Sequence, residues 1–91
     1  MATVILFRCR RFALDDLAHV VVEDDLTSVL AQVNVSNAPV ILLVGPHVSF
    51  GERELAMRAV VARWGFFLYL RDEEEERWIR RMVRFAIRHS A

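Results

Sequence analysis

The chain has 91 residues, 55% of them hydrophobic, and its twelve arginines balance twelve aspartates and glutamates to give a formal net charge of zero. A protein that coats nucleic acid or an anionic membrane carries a positive excess, because counterion release supplies its affinity, so the neutral charge argues against both partners. No apolar run approaches the roughly 20 residues that span a bilayer. We therefore expect residues 1–91 to form a single, soluble, cytoplasmic domain.

The hydrophobic content exceeds what a soluble domain of this size needs. Surface-to-volume scaling lets a chain of this length bury only about 64% of the surface that it exposes when unfolded. Apolar surface should therefore remain after folding, and contact with another protein is its simplest use. The composition thus favours a protein-interaction or regulatory module over an enzyme.

The residue types that hold metals and cofactors are sparse. Cys9 is the only cysteine, which excludes an internal disulfide, and its apolar surroundings favour a buried thiol. His19, His47 and His89 lack the i, i+3 or i, i+4 spacing of metal ligands on a helix. Three glycines in all are too few for a phosphate-binding loop. We expect neither a metal nor a cofactor.

The first two predicted strands are Val4–Phe7 and His19–Val22, the second of which is a weaker candidate because it is short. Val4–Phe7 is β-branched and aromatic without polar alternation, which is typical of a strand covered on both faces. The segment Arg10–Ala18 between them fits either a short helix or a turn. We favour a hairpin that returns into His19–Val22, because a parallel crossover normally takes about a dozen residues or more.

The next predicted elements are a helix and a buried strand. Asp24 or Asp25 is placed to cap a helix that runs to about Asn34, and the apolar residues of this segment share one helix face. Pro39–Gly45 follows, and its central residues form an uninterrupted apolar run between a proline and a glycine. This run predicts a second strand covered on both faces.

A longer helix and a third buried strand come next. Ser49 and Glu52 have the capping-box spacing, which predicts a helix that begins there and continues to Trp64. Gly65 is predicted to end this helix as its left-handed residue. Gly65–Leu70 then forms a strand, and the unit Val40–Leu70 has the lengths of a right-handed parallel crossover.

The last predicted helix runs from an Asp72 cap to about His89. Its first turn, Asp72–Glu76, is acidic and arginines follow, an arrangement that complements the helix dipole. The pairs Glu73/Arg77 and Glu76/Arg80 each add about 0.2–0.5 kcal/mol at i, i+4 spacing. The simplest interpretation is a solvated surface helix. Its sheet-facing residues would be Ile79, Met82, Val83 and Ala86.

These elements predict an α/β fold: a mixed or parallel sheet of about four strands with helices packed on it, in the order β-β-α-β-α-β-α. A helix capped by Ser49 directly after the strand Val40–Val44 resembles the arrangement in STAS domains, the anti-sigma-factor-antagonist family. The element order also resembles the N-terminal domain of the division inhibitor MinC. The STAS resemblance implies action through protein contacts and a phosphorylation switch at the serine. Val48-Ser49 stands where that family usually has Asp-Ser.

Two helices carry candidate partner-binding residues. The helix from Ser49 to Trp64 is apolar nearly all round, so the last helix or another subunit must cover its second face. On the last helix four arginines share one stripe flanked by two aromatic residues, a composition typical of interface hot spots and of phosphate or single-strand recognition. The neutral total charge favours a protein partner. The predicted partner-binding residues are Met57, Val61, Trp64, Arg77, Trp78, Arg81, Arg84, Phe85 and Arg88.

The loop Pro46–Ser49 is a second candidate site, because it lies at the carboxyl end of a predicted central strand, where open α/β sheets bind ligands. His47 and Ser49 would serve either a phosphorylation switch at Ser49 or a small enzyme. A capping serine and an exposed histidine explain both residues more simply, and no catalytic residue is predicted. The leading prediction is a non-enzymatic module that self-associates as a homo-oligomer or docks on a partner protein.

Overall fold

The computed structural model describes residues 1–71 and 75–89. Its elements follow the predicted order β-β-α-β-α-β-α, which confirms the predicted fold class. The strands are β1 (Thr3–Phe7), β2 (His19–Glu23), β3 (Val40–Val44) and β4 (Phe66–Tyr69), and the helices are α1 (Leu26–Val35), α2 (Phe50–Ala62) and α3 (Glu76–His89). None of these helices combines the length and the apolar composition that crossing a bilayer requires.

The four strands form one parallel sheet in the order β2-β1-β3-β4. Thr3 of β1 pairs with His19 on one side and with Val40 on the other, so β1 lies inside the sheet. All five residues of β3 are buried. The uninterrupted apolar runs of β1 and β3 therefore mark the two interior strands, as expected for a sheet covered on both faces.

The predicted hairpin between β1 and β2 is wrong, because the two strands are parallel. Residues 8–18, hereafter the crossover, carry the chain back across one face of the sheet without a helix. A single turn closes where the Leu14 carbonyl accepts hydrogen bonds from the Leu17 amide at 2.9 Å and the Ala18 amide at 3.1 Å. An extended chain covers up to about 3.3–3.6 Å per residue, against about 1.5 Å in a helix, so this short segment spans the distance.

The two faces of the sheet are covered differently. One face carries α1 and α2, whose buried side chains pack on β1 and β3. This cluster comprises Ile5, Phe7, Val29, Val33, Val40, Leu42, Val44, Val48, Ala56 and Val60. The other face carries α3 and the crossover. Its cluster comprises Ala2, Val4, Leu6, Phe12, Leu14, Ala18, Ile41, Leu43, Leu70, Ile79, Val83 and Ala86.

The end of α2 differs from the prediction. The left-handed residue is Trp64, with φ 58°, and Gly65 does not have positive φ. The Gly65 amide donates to the Val60 carbonyl at 2.9 Å, which completes the helix-terminating turn. A Cβ at Gly65 would lie 2.6 Å from the Val40 carbonyl oxygen. Glycine is therefore required there for close approach to β3, and not for its backbone angles.

Helix α3 begins at Glu76, later than predicted. The predicted Asp72 cap and the Glu73 partner of Arg77 lie outside the described residues. Both members of the predicted Glu76/Arg80 pair bind the crossover: Glu76 accepts the Ala13 amide at 2.6 Å, and Arg80 holds the Asp16 carboxylate through bonds of 2.8 and 2.7 Å. These contacts attach the start of α3 to the crossover.

Candidate functional site

Strand β4 forms an edge of the sheet, since among the described strands it pairs with β3 alone. Its sequence, Phe66–Tyr69, contains neither a charged residue nor a proline, the residues that commonly protect sheet edges. The Leu70 amide donates to the Val44 carbonyl at 2.8 Å. Because alternate residues turn toward the neighbouring strand, the backbone groups of Phe67 and Tyr69 point away from the sheet.

On the α3 side, an apolar groove of about 100 Å³ runs along β4. It is lined by Ile41, Leu43, Phe66, Phe67, Leu68, Met82, Val83, Phe85 and Ala86. Phe85 stands at its rim with 53% of its surface exposed. Trp78 lies four residues before Met82 and therefore on the same flank of α3, facing the same edge.

On the α2 side, Met57 contacts the same strand. The Tyr69 hydroxyl donates to the Met57 sulfur at 3.4 Å, and the Tyr69 ring lies 5.3 Å from the Phe67 ring. Val61 is four residues beyond Met57, on the same helix face, and is half exposed. The residues predicted on α2 and the aromatic residues predicted on α3 thus border one strand from opposite faces of the sheet.

Trp64 joins this region at the end of α2, two residues before β4 begins. Its side chain is 90% exposed although its backbone is left-handed. That conformation costs a residue other than glycine roughly 1–2 kcal/mol. A large exposed aromatic residue at a strained position is a recognised sign of a functional role. We call Met57, Val61, Trp64, Phe67, Tyr69, Trp78, Phe85 and the apolar groove the β4-edge surface.

The four predicted arginines Arg77, Arg81, Arg84 and Arg88 line a separate groove on the outer face of α3, hereafter the arginine stripe. Phe85 and His89 complete its lining, and their rings lie 4.3 Å apart. Like charges at i, i+4 destabilise a helix by about 0.2–0.5 kcal/mol per pair. All four arginines are exposed, so the stripe is not part of the contact between α3 and the sheet. Phe85 lines both this groove and the apolar groove, so the stripe lies beside the β4-edge surface.

A second candidate site lies where the carboxyl ends of the parallel strands meet. A cleft of about 380 Å³ opens there, hereafter the carboxyl-end cleft. Its lining residues come from the segments that follow all four strands: Arg8, Cys9, Arg10, Phe12, Asp24, Pro46, His47, Leu70 and Arg71. His47, predicted from the sequence, is among them. Arg8, Arg10 and Arg71 were not predicted.

Arg8 is fixed at the base of this cleft. Its guanidinium binds both oxygens of Glu52 at 2.8 Å and donates through Nε to the Asp24 carbonyl. Its backbone is left-handed, with φ 50°. A Cβ at Gly45 would lie 1.9 Å from the Arg8 carbonyl oxygen, so only glycine allows β3 to approach Arg8 this closely. Hydrogen bonds from Arg8, and then from the Ser49 hydroxyl, hold the pKa of Glu52 below its ordinary value.

Ser49 caps α2 as predicted. Its Oγ accepts the Glu52 amide at 3.4 Å and donates to the Glu52 carboxylate at 2.9 Å. A phosphate on Ser49 would therefore compete with Glu52 for Arg8. Burial raises the pKa of the Cys9 thiol to about 11, so this side chain is a neutral thiol at physiological pH. Within residues 1–71 and 75–89, His, Cys, Asp and Glu side chains form no group of three that could hold a metal ion.

The sequence contains a signal from which the arginines of the carboxyl-end cleft could have been predicted. Each follows a predicted strand within a few residues, and carboxyl ends of parallel strands share one edge. The predicted hairpin would have reversed β2 relative to β1 and so obscured this arrangement. Comparisons with protein-family models, with curated proteins and with solved structures gave no match to this chain. The resemblance to STAS domains therefore rests on the order of elements alone.

Proposed function

We propose that this chain is a non-enzymatic interaction module that associates with a second copy of itself through the β4-edge surface. One observation carries the proposal: exposed apolar side chains of α2, β4 and α3 converge on a single unprotected strand edge. An exposed apolar edge strand promotes aggregation unless something covers it. A second copy of the same chain would cover this edge without any other partner.

Two-fold pairing of β4 with β4 of a second copy would cover the β4-edge surface. An antiparallel contact between the two strands would join both sheets into one, with backbone hydrogen bonds from the outward groups of Phe67 and Tyr69. Such an interface is isologous, so each residue meets the same surface on its partner. Phe85 and the apolar groove would close one side of the contact, and Met57 and Val61 the other.

The size of a stable interface supports a contribution from the helices. A standard interface buries about 800 Å² per partner, about one seventh of the 5656 Å² that the chain exposes. A strand of four residues supplies too little of this area alone. The side chains on the α2 and α3 flanks must therefore be covered as well, and exposed apolar residues lie on both.

The test is the solution mass of the wild type and of two matched variants across a dilution series, measured by light scattering. We expect a wild-type dimer. Phe85→Arg should weaken it at least tenfold by placing a charge in the contact, as expected when an interface anchor is lost. Val22→Arg is the control, because Val22 is exposed on β2, at the opposite edge of the sheet from β4. A monomeric wild type, or equal weakening by both variants, would refute the proposal.

A phosphorylation switch at Ser49 is a second candidate, favoured by the exposure of this serine beside the Arg8–Glu52 pair. A phosphate there would draw Arg8 from Glu52 and alter the junction of β1 and α2. Ser49→Glu and Ser49→Ala are the matched variants. Different dimer masses or partner affinities for the two would support the switch, and identical behaviour would exclude it.

Catalysis in the Pro46–Ser49 loop is supported less well. A nucleophilic serine needs a base that removes its proton. The Ser49 hydroxyl donates to Glu52 at 2.9 Å. Glu52 is a weak base because Arg8 and Ser49 hold its pKa below the ordinary value. The interaction module therefore stands as the first proposal.

A further inference from the structure

We propose that the arginine stripe binds single-stranded nucleic acid: its guanidinium groups hold phosphates of the backbone, and the His89 ring stacks on a base. The four arginines and His89 lie outside the β4-edge surface, and Phe85 is the residue that the two surfaces share. The proposal therefore goes beyond self-association and does not depend on it.

The charge of the chain is unevenly distributed, although its sum is zero. Helix α3 contains five of the twelve arginines and a single carboxylate, that of Glu76. Glu76 and Arg80 bind the crossover, so the arginine stripe supplies the charge of the outer face. A patch of one sign attracts an oppositely charged ligand whatever the net charge of the protein. The neutral sum thus argues against a general nucleic-acid coat, and not against a strand held along one helix.

The arginines of the stripe have no carboxylate partner within residues 1–71 and 75–89. Elsewhere in these ranges, ion pairs with carboxylates hold Arg8, Arg11, Arg58 and Arg80. Asp16 accepts hydrogen bonds from Arg80 through both oxygens, and these lower its pKa more than the nearby charge of Arg84 does. The stripe contains like-charge pairs at i, i+4 instead, and a bound anion would relieve their repulsion.

The arrangement of the stripe suits a linear polyanion. Arg77 and Arg88 lie about 16 Å apart along a helix that rises 1.5 Å per residue. Their side chains and those between them line a groove of about 420 Å³. Guanidinium groups pair with phosphate through two parallel hydrogen bonds. A row of such groups along one helix therefore matches a chain of phosphates better than it matches one compact anion.

Two aromatic rings beside the arginines favour nucleic acid over an acidic protein segment. The rings of Phe85 and His89 lie 4.3 Å apart, and both side chains are exposed. Proteins hold single strands by combining positive charge along the backbone with aromatic rings on which the bases stack. An acidic peptide would engage the arginines without using the rings. The bases of a duplex are already stacked on one another, so the strand that fits this surface is single.

The test is the fluorescence anisotropy of a labelled oligothymidylate titrated with the full chain at several salt concentrations. Four phosphate contacts predict an affinity that falls about 50-fold between 50 and 200 mM salt. Arg81→Gln should weaken binding about fivefold to tenfold at 50 mM salt and make the salt dependence shallower. Arg58→Gln, at an exposed arginine of α2 that pairs with Glu54, should change neither. Absent or salt-independent binding, or equal weakening by both variants, would overturn the proposal.

His89→Ala separates a nucleic-acid partner from an acidic protein partner. It should weaken oligothymidylate binding at least about fivefold at unchanged salt dependence, because it removes a stacking ring and no phosphate contact. A glutamate peptide of equal charge should bind more weakly than oligothymidylate and should not respond to this variant. Equal binding of the two probes would overturn the proposal in favour of an acidic protein segment.

The solution mass keeps this site distinct from the proposed dimer. Arg81→Gln should retain the mass of the wild type, because Arg81 is not part of the β4-edge surface. Salt-dependent oligothymidylate binding by a chain that proves monomeric would refute the dimer and support the nucleic-acid site. A changed mass together with lost binding in Arg81→Gln would show that the stripe is not a separate site, and would overturn the proposal.

Discussion

The two faces of the sheet are covered by different elements: α1 and α2 on one face, and α3 with the crossover on the other. A helix with its side chains is about 10–12 Å wide and neighbouring strands are about 4.8 Å apart, so one helix covers roughly two strands. Four strands therefore need two helices on each face. The α1/α2 face has them, whereas the opposite face has α3 and an irregular crossover.

The difference determines where surface remains for function. The crossover covers the part of the sheet near β1 and β2, where Phe12 and Leu14 are buried. α3 covers the middle, through Ile79 and Val83. Within residues 1–71 and 75–89, no second helix packs beyond its flank near β4, and the apolar groove lies there between α3 and the strand. The groove along the flank of α3 thus contributes to the β4-edge surface.

The largest expected effect tests whether the crossover replaces a helix. Phe12→Ala should lower the free energy of unfolding by about 3–5 kcal/mol, because it removes a large buried side chain and leaves a cavity. Phe50→Ala, at a residue that is 67% exposed, is the control and should change it by less than about 1 kcal/mol. Urea denaturation measures both variants. Similar losses for the two would mean that the crossover is not part of the core.

A smaller effect is expected on the α1/α2 face. Trp64→Gly should be more stable than Trp64→Ala by about 1 kcal/mol, since glycine adopts the left-handed backbone at little cost and both variants lose the same side chain. For a domain of this size that corresponds to a difference of about 4–8 °C in Tm. Trp64→Ala retains a Cβ and with it the cost of the left-handed backbone. Equal Tm values for the glycine and alanine variants would contradict the strain assigned to Trp64.

The smallest effect concerns the attachment of α3 to the crossover. Hydrogen bonds from Arg80 lower the pKa of Asp16 to about 2. The pair therefore stabilises the folded protein above the unfolded-state pKa, near 4, and this contribution disappears as the pH falls toward 2. The effect is small because Asp16 is largely exposed.

Asp16→Asn should make the loss of stability between pH 4 and pH 2 shallower than in the wild type. The measurement is urea denaturation at several pH values in this range. Asp15→Asn is the control, since Asp15 pairs with Arg11 of the crossover and not with α3. An unchanged pH profile in Asp16→Asn would show that the Arg80 contact does not hold α3.

The sequence predicted the elements well because their signals are local. Apolar runs located β1, β3 and β4, and Ser49 and Asp25 cap the helices they were expected to cap. The direction of β2 is not a local property: it depends on whether Phe12 and Leu14 pack on the sheet. The left-handed backbone of Trp64 could not be predicted for the same reason. It depends on the close approach of Gly65 to Val40, which is a contact between distant parts of the chain.

The candidate-site residues likewise divide into those that local spacing predicts and those that depend on the arrangement of the strands. The exposed aromatic residues of α3 follow from helical spacing alone, because too few positions face the sheet to bury them all. The strand order must be known before Met57 and Phe85 can be placed beside the same strand. The cluster of Arg10, Arg71 and His47 requires parallel strands as well, so an antiparallel assignment of β2 conceals it.

The parallel sheet has a consequence for how the chain acquires its structure. Thr3 pairs with His19 and Val40, and Ile41 pairs with Phe66, so every strand pair in the described residues joins distant parts of the chain. Each pairing must close a long loop before it gains any contact. Topologies dominated by such distant pairings, parallel sheets among them, fold more slowly than helical bundles of similar size. Until β3 meets β1, two of the most apolar segments stay unpaired, and during that interval the nascent protein is most exposed to misassembly.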